Sequence, residues 1–193
     1  MKTAIVLASG PSLTGEQTAA AKASGHFTMV VNSTYKLMPD ADVLYAGDFL
    51  WWKVHYPDVK KTFKGKMWTQ DSSAASRYPG INRLKATNRE GLGKQFIHIN
   101  GNSGVQALNL AYLWGYTRII LLGFDMKLGP KGAKHWHPDH PAPMVQNQTF
   151  GEWLHKLEKV AKDCREVKLQ VLNATPDSAM KCFPLVDWKE VLK

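Results

Sequence analysis

Short apolar runs rich in β-branched residues recur along this chain between segments of helical periodicity. That alternation is how a parallel sheet covered on both faces is written. Seven segments qualify: Thr3–Ala8, Phe27–Val31, Asp42–Ala46, Lys66–Thr69, Gln95–Ile99, Arg118–Leu122 and Lys168–Leu172. Parallel strands need long crossovers, and helices fill the gaps. The expected fold is therefore α/β: a Rossmann-like, doubly wound, mostly parallel sheet of about seven strands with helices on both faces. The 193 residues suit one domain, 1–193, whose core needs neither a disulfide framework nor a metal.

The helices announce themselves by their ends. Thr14-Gly-Glu-Gln17 has the form of a capping box opening an alanine-rich helix, and Gly25 is placed to close it. A second helix is expected from Ser103 to Trp114, with Val105, Leu108, Ala111 and Tyr112 on one face and Gly115 as its stop. A third begins at Thr149-Phe-Gly-Glu152 and carries the stripe Trp153, Leu157, Val160, Cys164. Two long loops remain, 71–94 and 127–148, of the length that lids and acceptor sites use. Cys164 and Cys182 both fall in expected helices and read as reduced thiols.

Twenty-five Lys and Arg against sixteen Asp and Glu give a net charge of +9, which favours anionic partners: nucleotides, phosphorylated sugars or nucleic acid. The most basic stretch, Lys53 to Lys66, adjoins Trp51 and Trp52 and includes His55, Tyr56 and Phe63. Such a mixture can stack on bases while holding phosphates, although a solvated face over partly buried aromatics is the simpler account. No apolar run reaches membrane-spanning length and no signal-type segment precedes the first strand, so a cytoplasmic protein is expected.

In an open parallel sheet, ligands bind beyond the carboxyl ends of the strands. Here nearly every strand exit is polar. Ser9-Gly-Pro-Ser12 follows the first, where Gly10 permits close approach, Pro11 fixes the turn, and Ser9 and Ser12 offer hydroxyls beside amides at a helix start, a seat for phosphate. Asn32 and Ser33 follow the second strand, Asp48 the third, Asp71 the fourth, Asn100 and Asn102 the fifth, Asp125 the sixth, and Asn173 with Thr175 the seventh. Asn100-Gly-Asn-Ser-Gly104 opens a helix, so Asn102, Ser103 and Gly104 form a second candidate seat. There is no Walker lysine motif and no GxGxxG, which removes the main support for P-loop ATPase and dinucleotide dehydrogenase readings.

His135-Trp-His-Pro-Asp-His140 gathers three imidazoles and a carboxylate in six residues. Its HxHxDH spacing matches the zinc signature of metallo-β-lactamase-type hydrolases. That fold also needs a later aspartate and two later histidines as ligands, and only His155 follows, inside an amphipathic helix. A loop histidine acting as general base on an acceptor hydroxyl fits better, with His140 or His137 as the base.

Taken together, Gly10-Pro-Ser-Leu13, Asn32, Asn102-Ser-Gly104, Gly115-Tyr-x-x-Ile119, Leu122-Gly-Phe-Asp125, the histidine loop and Asn173-Ala-Thr-Pro-Asp-Ser178 resemble the small bacterial lipooligosaccharide sialyltransferases and the wider hydroxymethylpterin pyrophosphokinase-like family. The likeness extends over most of the chain and is strongest to uncharacterised bacteriophage and prophage members, which would place the protein in a host cytoplasm. Similarity to the sialyltransferases implies a CMP-type nucleotide-sugar donor held by Gly10, Ser12, Asn32, Ser103 and Gly104, with a loop histidine as base. The chain departs from that pattern at Ser9 and Asp48, where those enzymes carry Asn. It also has Lys127 and Lys134, with His135 beside them, where tyrosines steady the leaving phosphate. Similarity to the pterin kinases implies ATP and Mg²⁺, with Asp48 and Asp125 as metal ligands.

Overall fold

The computed structural model describes residues 1–141, 144 and 149–193. Its centre is a seven-stranded sheet, all parallel, in which β1 (Thr3–Leu7), β2 (Phe27–Val31), β3 (Val43–Tyr45), β4 (Lys66–Thr69) and β5 (Ile81–Arg83) run outward to one side of β1. On the other side lie β8 (Arg118–Leu122) and β9 (Gln170–Asn173). The order is β5-β4-β3-β2-β1-β8-β9, with Ala4 level with Phe27 on one side and Ile119 on the other. This is a Rossmann-like α/β fold, and the direction in which successive strands are added to the sheet reverses between β1 and β8, whose own directions stay parallel.

Strand side chains alternate between two cores because successive Cβ atoms leave a strand on opposite faces. Ala4, Val6, Met29, Val31, Ile119 and Leu121 face one way, against α4 (Ser103–Leu113) and α5 (Phe150–Glu166). Ile5, Leu7, Val30, Leu44, Ile120 and Leu122 face the other, against α1 (Gly15–Ala23), α2 (Phe49–Thr62) and α3 (Ser72–Arg77), with α6 (Trp188–Val191) packed at the edge. Both faces being apolar is why the runs show no polar alternation. α1 carries the reciprocal Thr14–Gln17 capping box and Gly25 follows it at φ 68°. α4 ends at Trp114, with Gly115 at φ 79°.

Three sequence expectations are corrected. Gln95–Ile99 is not a strand of the main sheet: β7 (Ile97–His98) pairs only with β6 (Ala86–Thr87) in a separate two-stranded sheet. The seventh main strand, β5, lies instead in the segment 71–94 expected as loop, which also holds α3 and β6. Cys182 lies outside any helix, whereas Cys164 is buried in α5. Of the loop 127–148, residues 142, 143 and 145–148 fall outside the described residues. No helix among the described residues is long and apolar enough to cross a membrane.

The basic aromatic stretch is also resolved. α2 turns Trp51 and Trp52 into the core at 2 % and 0 % exposure, and the Trp52 indole donates to the Ala46 carbonyl at 3.0 Å. Those two rings are structural and have no face to offer a base, whereas Tyr56 and Phe63 are partly buried.

Candidate functional site

The exits of β1, β2, β3, β4 and β8 converge around a crevice of about 430 Å³ at the carboxyl edge of the sheet, beside the β1–β8 reversal, while the exit of β9 does not reach it. Its floor is the turn Ser9, Gly10, Pro11 after β1, Asn32 after β2 and the loop Gly123–Lys127 after β8. Asp48 and Gln70 reach it from β3 and β4. One wall is Asn102, Ser103 and Gly104 at the start of α4, and the rim carries Lys134, His135 and Trp153. Of the residues singled out from sequence, Ser12, Ser33, Asp71, Asn100, His137, His140, Asn173 and Thr175 do not line the crevice.

The first turn is built differently from an amide nest. The Gly10 N–H donates to the Gly123 carbonyl at 2.9 Å, the Leu13 N–H to the Gly10 carbonyl at 3.1 Å, and the Ser12 N–H to Asp125 Oδ1 at 3.0 Å. Ser9 Oγ lies 3.2 Å from the Val31 carbonyl and 3.1 Å from the Thr34 hydroxyl. Thr14 takes over the cap of α1. The turn therefore offers no row of free amides to a phosphate, contrary to what its sequence suggests, and a carboxylate of the protein's own is bound there. Glycine is required at position 10 because a Cβ would come within 1.9 Å of Asp125 Oδ2 and 2.4 Å of the Gly123 carbonyl oxygen.

The Gly123–Asp125 loop is held from behind by the segment after β9. Thr175 Oγ1 accepts the Phe124 N–H at 2.9 Å, Ser178 Oγ donates to the Phe124 carbonyl at 2.6 Å, and the Ala179 N–H donates to the Asp125 carbonyl at 2.9 Å. The Phe124 ring in turn packs on Gly104, where a Cβ would meet it at 2.9 Å. The residues of Asn173–Ser178 thus brace the crevice rather than enter it.

At the α4 wall Asn102 Oδ1 caps the helix, accepting from Gly104 and Val105 at 2.9 and 3.2 Å. What the wall presents to a ligand is the Ser103 hydroxyl and the positive end of an eleven-residue helix. Lys127 and Lys134 add cationic charge, and Lys127 is paired with the exposed Asp177 at 2.5 Å. Opposite lie acceptors. Asn32, at φ 50°, has an amide oxygen with no hydrogen-bond partner among the described residues. Burial, with Asp71 nearby, pushes the Asp48 carboxyl above its usual range. Gln70 donates to the Gly47 carbonyl at 2.9 Å and so fixes the Asp48 loop. Lys127 and Lys134 lie toward β8 beside Asp125, Glu152 also stands on the lining, and Asn32 and Asp48 lie toward β3.

No family model, curated protein or solved structure matches the chain.

The histidine loop is stapled over the first turn by Trp136, which sequence reasoning passed over. Its backbone N–H donates to the Ser9 carbonyl at 3.2 Å, its indole N–H reaches Thr34 Oγ1 at 3.4 Å, and its ring packs on the β1/α2 core. With Trp136 fixed, His135 faces the crevice while His137 and His140 lie behind it, against His55 of α2. Burial lowers all four imidazoles; His137 and His140, each also facing other histidines, fall to about 4. The rings are therefore neutral near pH 7. Nothing in the sequence spacing brings His55 here; it arrives because α2 packs under the loop.

Asp48 and Asp125 do not fit a shared Mg²⁺. Asp125 has one oxygen on the Ser12 amide and the other buried against Gly10 without a partner, so turning it toward an ion would undo the turn. Among the described residues no group of three or more His, Cys, Asp or Glu is arranged, as it stands, to hold a metal ion.

Proposed function

We propose that the protein is a nucleotide-dependent transferase of glycosyltransferase type, whose nucleotide-sugar donor lies in the carboxyl-edge crevice. One observation carries this reading: a ligand-sized crevice at the reversal point of a parallel sheet, with Lys127, Lys134 and the His135 imidazole on its lining. In this reading the donor phosphates lie toward Lys127, Lys134 and the start of α4, and Asn32 and Asp48 accept hydrogen bonds from the nucleoside.

The chemistry needs positioning and charge neutralisation. An acceptor hydroxyl oxygen forms the new bond to the anomeric carbon as that carbon's bond to the phosphate oxygen breaks. The bonding pair leaves with the nucleotide, steadied by the two lysines, and the hydroxyl proton passes to His135. His135 takes this role from His137 and His140 because it alone of the three lines the crevice, and burial keeps it neutral and able to accept. A CMP-type donor is the specific expectation.

Thermal unfolding in the presence of CMP, UDP, GDP and ADP tests the donor. A ligand at about 100 times its Kd is expected to raise Tm by about 5–10 °C in a chain of this size, with CMP the most effective. No shift with any of the four contradicts the reading.

A further inference from the structure

The small β6–β7 sheet, set apart from the main one, has a face of its own. Thr87 is level with His98 in this parallel pair. Side chains two positions apart share a face of extended chain, so Lys85 and Thr87 stand on the side of Phe96 and His98, while Ile97 turns inward against α4. Lys85 Nζ accordingly lies 5.7 Å from the centre of the Phe96 ring. That face opens into a groove of about 480 Å³, lined by Thr87, Arg89, Lys94, Phe96 and His98 over Leu92. Even with Lys85 so placed, Phe96 is 39 % exposed.

The groove is held in shape from below. Asn109 Oδ1 of α4 accepts the Gly93 and His98 N–H groups, each at 2.9 Å, and Asn109 Nδ2 donates to the Gly93 carbonyl at 2.9 Å. Asn100 Oδ1 accepts the Gly91 N–H at 2.9 Å, and Asp163 of α5 accepts the Leu92 N–H at 2.8 Å. Its charge is one-sided. Between residues 81 and 100 the chain carries Arg83, Lys85, Arg89 and Lys94 against one carboxylate, Glu90. Glu90 lies 3.9 Å from Lys156 Nζ, and Lys85, Arg89 and Lys94 are exposed with no ion-pair partner among the described residues.

We propose that this groove binds single-stranded nucleic acid, with a base stacked on Phe96 and the neighbouring phosphates held by Lys85, Arg89 and Lys94. Charge complementarity selects a polyanion, and the ring selects among polyanions. An exposed aromatic side chain in a basic groove is a platform for an unpaired base of any identity. A duplex keeps its bases stacked on one another, and an acidic peptide has no base to offer. Phosphate contacts of this kind set affinity without reading sequence. The groove and the crevice are neighbours along the chain, since His98 lines the first and Ile99 the second. Binding at the groove needs neither the sugar donor nor the histidine base, so it is independent of the transferase reading.

Fluorescence anisotropy of a labelled oligothymidylate of about 12 nucleotides, titrated with the full chain at several salt concentrations, tests the proposal. Saturable binding is expected, and three phosphate contacts predict a slope of about −2 for log affinity against log salt. Phe96→Ala should weaken binding about tenfold and leave that slope unchanged, whereas Phe96→Tyr should bind as wild type. Arg89→Ala and Lys94→Ala should each weaken binding and flatten the slope by about 0.7. Lys60→Ala, on α2, is the control and should change neither. Absence of saturable binding overturns the proposal. So does equal binding of a duplex of the same length, equal displacement by polyglutamate, or affinity unaltered by both Phe96→Ala and Arg89→Ala. Stabilisation by CMP is read separately on the same variants, so failure here is distinguishable from failure of the transferase reading.

Discussion

Gly10→Ala is expected to destabilise the protein by about 3 kcal/mol or more and to abolish nucleotide binding. The added methyl group would lie 1.9 Å from Asp125 Oδ2 and 2.4 Å from the Gly123 carbonyl oxygen. Neither neighbour can yield cheaply. Gly123 continues β8, which pairs with β1 along its whole length, and Asp125 holds the Ser12 amide while its own carbonyl is fixed by Ala179. Relief would require parting the exits of two central strands, which are the floor of the crevice. Gly15→Ala is the control: a Cβ there meets nothing within 4 Å, at the first residue of α1, and the change should be neutral or stabilising by less than about 1 kcal/mol. Urea unfolding of the two variants measures the contrast. Equal midpoints would show that the carboxylate does not sit against the turn as described.

His135→Ala is expected to lower the rate of sugar transfer by about 10²–10⁴ while leaving donor affinity little changed. His135 is the loop imidazole on the crevice wall, whereas His137 and His140 point to α2. Loss of His140 should therefore cost at least tenfold less than loss of His135, acting only through the position of the loop. Single-turnover rates with whichever nucleotide sugar binds give the comparison. A His135→Ala enzyme at wild-type rate, beside an inactive His140→Ala enzyme, would return the base to His140, one of the two residues between which the sequence leaves the choice open.

The parallel sheet and its polar carboxyl edge are legible in the sequence because they rest on local signals: apolar runs of strand length, capping residues and turn formers after each strand. Six of the seven runs are strands of the main sheet, with ends differing by up to two residues. Gln95–Ile99 misleads because Ile97 buries against α4 from a small separate sheet, while Phe96 is exposed. β5 is invisible because two of its three residues, Asn82 and Arg83, are exposed at the sheet edge. The crevice lining is legible for the same local reasons as the strands. What each residue does there is not, because it depends on partners far along the chain. Asp125 reads as a ligand until it is found 113 positions away on the Ser12 amide. His55 reads as part of a basic surface until α2 places it against His140. Trp136 reads as a spacer between histidines, yet its bond to the Ser9 carbonyl decides which imidazole faces the crevice.

The central claim is that the carboxyl-edge crevice binds an activated phosphate compound, and amide chemical-shift mapping with CMP tests it most directly. The account predicts saturable shifts concentrated at Ser103, Gly104, Asn32 and the Lys127 and Lys134 amides. Shifts confined to the exposed lysines of α2, or none at any concentration up to millimolar, would contradict it.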